Sequence, residues 1–188
     1  NTATYPNSPG PLAAALTDLP EVEHAFRTTF EASVPLRFDH ETVFEKGIYA
    51  DPQLFRVFNF PLAQGNANDP FPDDHSVAIS QALAVKYFKG QNAMGKVLTV
   101  DAKYEAKVTA VFEDIPDNSS IRFDFVLPYA VYARSDPYND EWGAWTGGVT
   151  FVKLRDGADE NIVNDKIAAI FISCLGMFAL ASFMAVKR

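Results

Sequence analysis

Residues Val77–Val100, VAISQALAVKYFKGQNAMGKVLTV, decide the fold. Val77–Ser80 is strand-like, and Gln81–Lys89 places Leu83, Tyr87 and Phe88 on one apolar helical face. Ser80 stands where an N-cap is expected. Gly90 comes just past the last periodic residue, where helices end in a left-handed turn. Gly95 then turns the chain into a strand over Val97–Val100, so the unit reads strand, helix, turn, strand. The same stretch holds Gly90, then Gly95 and Lys96, most of the spacing of a phosphate-binding loop. Such a loop needs a strand feeding a Gly-rich turn that opens a helix, with a hydroxyl residue after the lysine to hold magnesium. Here the glycines follow the helix and Val97 follows the lysine, so the order predicts no nucleotide site.

Working outward, Ser8-Pro9-Gly10-Pro11 opens a short helix, PLAAALTDL over Pro11–Leu19, which Pro20 stops. Strand character follows around Ala25–Phe30 and Thr42–Tyr49. In DPQLFRVFNFPL, Asp51 is expected as N-cap and Pro52 at the first helical position, with Leu54, Phe55 and Phe58 on one buried face. Gly65–Asp74, GNANDPFPDD, is a loop by composition. Strands are expected again at Lys107–Phe112, Ile121–Leu127 and Val149–Leu154. The pattern is α+β with short elements and no repeat.

The chain has 188 residues, of which 48% are hydrophobic and 13% aromatic, enough apolar surface to fold rather than stay disordered. A formal charge of −8 without any internal basic cluster argues against nucleic acid, because phosphate binding depends on gathered Lys and Arg. Cys174 is the single cysteine, so no disulfide forms within the chain. With Asn1 first and no signal-like segment, the sequence reads as a piece of something longer.

Residues 167–186, IAAIFISCLGMFALASFMAV, carry no charge and are followed by Lys187 and Arg188. As a helix this run would be about 30 Å long, the thickness of a bilayer core. It predicts an apolar C-terminal helix, transmembrane-like over 169–188, with its Lys-Arg end in the cytoplasm and residues 1–168 outside. The competing reading is a buried helix of a soluble core. Asp159-Glu160, followed by Ile162, Val163, Ile167 and Ile170, predicts an amphipathic helix running into the apolar stretch.

Constellations for chemistry are thin. His24, His40 and His75 stand in no metal-ligand spacing. Asp69, Asp73 and Asp74 beside His75 would make a weak cation site or, by the more ordinary reading, a solvated acidic loop. Asp136, Asp140 and Glu141 near Trp142 and Trp145 combine acids and aromatics as sugar sites do, but a loop packed down by tryptophans has the same composition. No catalytic, cofactor-binding or metal residue is assigned on these grounds.

Three stretches in order, YADPQLFRVFNFPLAQGN, VAISQALAVKYFKGQNAMGKVLTV and VTAVFEDIPDNSSIRFDFVLPY, resemble the MacB-like periplasmic core domain of FtsX/MacB-type ABC transporter permeases, in the form common in Bacteroidota. The tail ISCLGMFALASFMAVKR resembles the membrane helix that follows such a domain. The resemblance implies two small α/β lobes: a porter-like βαβ lobe at about 11–48 and 149–168, and an inserted Sabre-like lobe at about 49–127. It also implies a non-enzymatic, mechanical part of an exporter in the bacterial inner membrane, with residues 1–168 in the periplasm. Its partners would be a cytoplasmic ABC ATPase, the membrane through the C-terminal helix, a second permease copy, and periplasmic or outer-membrane proteins. The family normally places a returning strand before the next membrane helix, whereas here Ile167 runs straight into Phe171-Ile172-Ser173. A membrane-anchored surface or periplasmic module for carbohydrate or peptide is the alternative.

Overall fold

The computed structural model describes residues 7–144 and 146–185, the side chains of 175–185 excepted. In chain order the elements are α1 (Leu12–Thr17), β1 (Val22–Thr28), β2 (Ala32–Phe38), β3 (Glu41–Ala50), α2 (Gln53–Val57), β4 (Leu62–Gly65), β5 (Ser76–Ser80) and α3 (Gln81–Phe88). They continue with β6 (Val97–Val100), β7 (Tyr104–Phe112), β8 (Phe125–Pro128), α4 (Tyr129–Ser135), a 3-10 turn at Pro137–Asp140, β9 (Val149–Leu154) and α5 (Glu160–Ala185). The chain divides into two units, Thr28–Tyr132 and the combination of Asn1–Arg27 with Ala133–Arg188. The fold is mixed α+β, as the sequence indicates.

In the middle unit β2 hydrogen-bonds to both β3 and β6, so the path β2-β6-β7-β5-β8-β3 returns on itself. Closure removes the free strand edges that an open sheet would leave unpaired. Pairs β5 with β7 and β3 with β8 are parallel, and β4 adds antiparallel to β7 off the ring. The parallel pair β5 and β7 requires a crossover, and α3 with β6 supplies it. All five residues of β5 are buried, as befits a strand covered on both faces.

Leu36, Val77, Ile79, Leu98, Val100 and Leu127, all nearly inaccessible, fill the interior beneath Leu83, Tyr87 and Phe88 of α3. Each such side chain contributes about 1.5–3 kcal/mol by leaving water. The α3 N-terminus is capped twice: Ser80 Oγ accepts from Leu83 N at 3.1 Å, and Asp114 Oδ1 accepts from Ala82 N at 2.8 Å. At its other end the left-handed turn begins at Lys89, φ 51°, one residue before the expected Gly90, φ 82°. One acid is enclosed with this core. Glu45 of β3 accepts from Lys86 Nζ at 2.6 Å and from the Tyr87 hydroxyl at 3.2 Å, which ties α3 to β3. Burial, reinforced by the Glu45 charge, pushes the Tyr87 hydroxyl well above its ordinary pKa.

Several expectations need correction. Strand β2 is not among the expected strands. Pro35 in its middle has no N–H to donate; it is accommodated opposite Phe44, and its carbonyl accepts from Asp101 N at 2.9 Å. Strand β4 and helix α4 also escaped the reading, being short and without clear periodicity. The expected strand over Ile121–Leu127 begins only at Phe125, since Ile121 closes a turn onto Ser119 Oγ. Helix α2 has Pro52 rather than Asp51 at its cap, and Phe58, just past its end, is half-buried while Leu54 and Phe55 are buried. Phe58 therefore carries less of the core than its helical spacing suggested. Along the chain the two units change over at Arg27/Thr28 and Tyr132/Ala133, and within the middle unit β2 and β3 are paired to β6 and β8.

In the other unit β1 and β9 are sheet neighbours, and Phe26 stacks on Phe151 with ring centroids 5.5 Å apart. Leu12, Ala13 and Leu16 of α1 join Val22 and Ala25 in a core against which Ile167, Ile170 and Phe171 of α5 pack. Helix α5 runs for 26 residues. The transmembrane-like segment expected at 169–188 falls largely on residues 175–188, whose side chains lie outside the described residues. Among the described residues no helix is long and apolar enough to cross a membrane.

Candidate functional site

The residues that suggested a phosphate loop are engaged in the turn between α3 and β6. Gly95 N donates to Val108 O at 2.8 Å and Lys96 N to Ala93 O at 3.1 Å, while Val108 N donates to Lys96 O at 2.8 Å. Backbone amides that would have to point at phosphate instead join the turn to β7. Titration of the chain with Mg-ATP is expected to give no saturable heat, and Lys96→Ala to change nothing. A micromolar site abolished by that substitution would overturn this reading.

The three histidines stand apart. His24 lies in β1 beside Glu23, His40 in the exposed turn between β2 and β3 beside Asp39, and His75 at the entry to β5. The His75 ring stacks on Tyr104 with centroids 5.3 Å apart, and its Nδ1 is 2.9 Å from Glu105 O. Asp73 closes a turn by accepting from Ser76 Oγ at 3.0 Å. Among the described residues no group of three or more His, Cys, Asp or Glu is arranged to hold a metal ion.

The acid and aromatic cluster is likewise engaged in holding the chain. Asp136 caps the 3-10 turn by accepting from Tyr138 N at 3.0 Å, and Asp140 pairs with Arg27 at 3.2 Å. Trp142 packs edge-on against Phe171 of α5, with centroids 6.4 Å apart. Trp145 lies outside the described residues. Asp136 and Asp140 stand in separate structural contacts rather than as an open pair flanking a groove.

Among the described residues, one cleft of about 350 Å³ lies in the middle unit, at the carboxyl ends of β5 and β7. Lys46, Ser80, Asp114, Asp117, Arg122 and Asp124 line it. Asp114 and Ser80 are the two caps of α3, Arg122 pairs with Asp117 at 3.2 Å, and Lys46 pairs with Glu31 at 3.0 Å. Asp124 Oδ2 accepts from Lys46 N at 3.2 Å. Charges of both signs meet here, one ion pair within the lining, one to Glu31 outside it and two carboxylates on backbone amides, and the Ser80 oxygen accepts from a backbone amide. Such a lining offers polar contacts to a bound group but no nucleophile held against a base.

Sequence reasoning passed over a second gathering of charge, in the terminal unit. Lys166 Nζ of α5 donates to Glu21 Oε1, and Lys153 Nζ of β9 donates to Glu23 Oε1 at 2.9 Å. The Lys166 hydrogen bond, a backbone hydrogen bond and the lysine charge together hold the Glu21 carboxyl below its ordinary range, against some desolvation. The Lys153 hydrogen bond does the same for Glu23, aided by the charges of Lys153, His24 and Arg155. No local motif announces either pair, because the partners are far apart in sequence.

A family model described as the MacB-like periplasmic core domain matches residues 2–170. Among solved structures, a domain described as part of a permease protein from Porphyromonas gingivalis is 26% identical with a TM-score of 0.78, covering 90% of this chain and 79% of that one. The periplasmic region of MacB from Actinobacillus actinomycetemcomitans has a TM-score of 0.69 at 18% identity, covering 92% of this chain and 76% of that one. The extracellular domain of the ABC-type transporter YknZ from Gram-positive bacteria has a TM-score of 0.67 at 13% identity, covering 92% and 87%. The last two share the fold. No curated protein matches the chain.

Proposed function

Because this chain belongs to the MacB-like periplasmic core domain family, we propose that it is the extracytoplasmic domain of an ABC transporter permease and passes ATP-driven conformational change to a substrate or partner outside the membrane. The observation that carries the reading is the family match over residues 2–170, nearly the whole chain. ATP is hydrolysed by a cytoplasmic ABC ATPase, and this chain does no chemistry of its own. Residues 1–168 stand in the periplasm and 169–188 enter the inner membrane. The terminal unit takes the porter-like role and the middle unit that of the inserted lobe. A second permease copy and periplasmic or outer-membrane proteins are the partners such a domain would meet.

The geometry supports a domain built to keep its shape. Asp114 caps α3, Asp140 pairs with Arg27, and the middle unit closes its sheet into a ring. The carbohydrate-binding alternative draws no support from Trp142, whose ring packs on Phe171.

Placement outside the cytoplasm is tested in the intact permease carrying Cys174→Ser and Asp117→Cys, the Asp117 side chain being fully exposed. A membrane-impermeant maleimide is expected to label Cys-substituted position 117 in cells whose outer membrane alone has been opened. Labelling that appears only after the inner membrane is broken would overturn the reading.

A further inference from the structure

The turn at Pro20-Glu21, between α1 and β1, gathers contacts from two other places in its unit. Arg155, just past β9, donates from its backbone N to Glu21 O at 2.9 Å and from Nε to Pro20 O at 3.1 Å. Lys166 reaches the same turn from α5 through the Glu21 carboxylate. Among the described residues of α5, Val163 is only 3% exposed, and Ile167, Ile170 and Phe171 pack on the apolar core of this unit.

Apolar contacts are non-directional, and packed helices shear past one another by small steps without losing them. A charge-assisted hydrogen bond is stronger than a neutral one, and keeping Lys166 within reach of Glu21 limits how far α5 can travel along its axis. The other Glu21 oxygen, Oε2, is buried with no hydrogen-bond partner among the described residues, so the Lys166 hydrogen bond, with a backbone hydrogen bond beside it, holds this carboxylate.

We propose that Glu21 and Lys166 form the positioning pair through which axial displacement of α5 is delivered to the β1 and β9 sheet. The inference rests on the transport reading and adds to it one contact through which motion would pass. With the pair intact, α5 and the sheet move as one body. Without it, α5 slides over its apolar seat and the sheet lags behind.

The test is amide hydrogen exchange on the full permease with its ATPase in nanodiscs, with and without Mg-ATP. In the wild type, Mg-ATP is expected to change exchange by about threefold or more at amides of β1, β9 and the start of α5. In Lys166→Met the response should persist in α5 and vanish in β1 and β9, with the ATPase rate kept within about twofold. Lys166→Arg, which keeps the pair, should restore the sheet response. If β1 and β9 still respond in Lys166→Met, the positioning role is wrong while the transport reading stands. If Lys166→Met raises exchange in β1 and β9 equally without nucleotide, the pair is merely structural and the proposal also fails. No response anywhere in the wild-type chain, α5 included, would instead remove the transport reading, and this inference with it.

Discussion

Phe125→Ala is expected to cost about 3–5 kcal/mol, near the upper end for a core truncation, because its ring is 1% exposed in the middle of the ring of strands. Phe125 stands directly opposite Gly47 in the parallel pair of β8 with β3. A Cβ placed on Gly47 would lie 2.1 Å from the Phe125 ring carbon Cζ. The aromatic ring occupies the space the glycine leaves open, a standard way of repairing a weak strand position. Gly47→Ala alone should therefore destabilise by about 2–3 kcal/mol, as overpacking forces the ring or the strand to shift. The two substitutions should not add. In a Phe125→Ala background the extra cost of Gly47→Ala is expected to fall below about 1 kcal/mol, because the clash has lost its partner. Denaturant melts of the four proteins in the cycle measure this, and strict additivity would show that ring and glycine do not share the space.

Gly10→Ala should be the comparable lesion in the terminal unit. A Cβ there would sit 2.3 Å from the Asn139 backbone oxygen and 2.9 Å from the Asp140 Cα. A backbone oxygen cannot swing aside as a side-chain tip can, so the cost is expected at the upper end of overpacking, about 3 kcal/mol. Asn139 is buried, and Arg27 bonds both Gly10 O and Asp140, at 3.3 and 3.2 Å, so any shift disturbs those contacts as well. The expected signature is a lower melting temperature with Trp142 fluorescence moving toward that of a solvated indole. A variant that melts like the wild type would mean that the segment around Gly10 gives way freely.

Local pattern was legible and long-range closure was not. The strand, helix and turn of Val77–Val100 followed from a buried run, an apolar face and caps, all set within a few residues of one another. Strand β9 matched its expected limits, Val149–Leu154, because its β-branched run is bounded by glycines. At the candidate sites, order along the chain argued against a phosphate loop, and the family resemblance was readable from three ordered stretches. The polar cleft was not legible, since Lys46, Ser80, Asp114 and Arg122 come from separate segments.

The sequence by itself determined the α3 helix and its Ser80 cap, the α+β class and the family, because each rests on near neighbours or on the order of segments. Only the tertiary structure decided that β2, with Pro35 inside it, would close the ring between β3 and β6. It alone decided that Glu45, in the polar-looking run ETVFEK, would turn inward. Lys86 and Tyr87, from a helix about forty residues later, satisfy its charge. It likewise brought Glu21 to Lys166. The physical reason is common to all three: propensity and capping act over one or two helical turns, whereas strand partners and buried charges are chosen by which distant groups can complete hydrogen bonds once water is excluded.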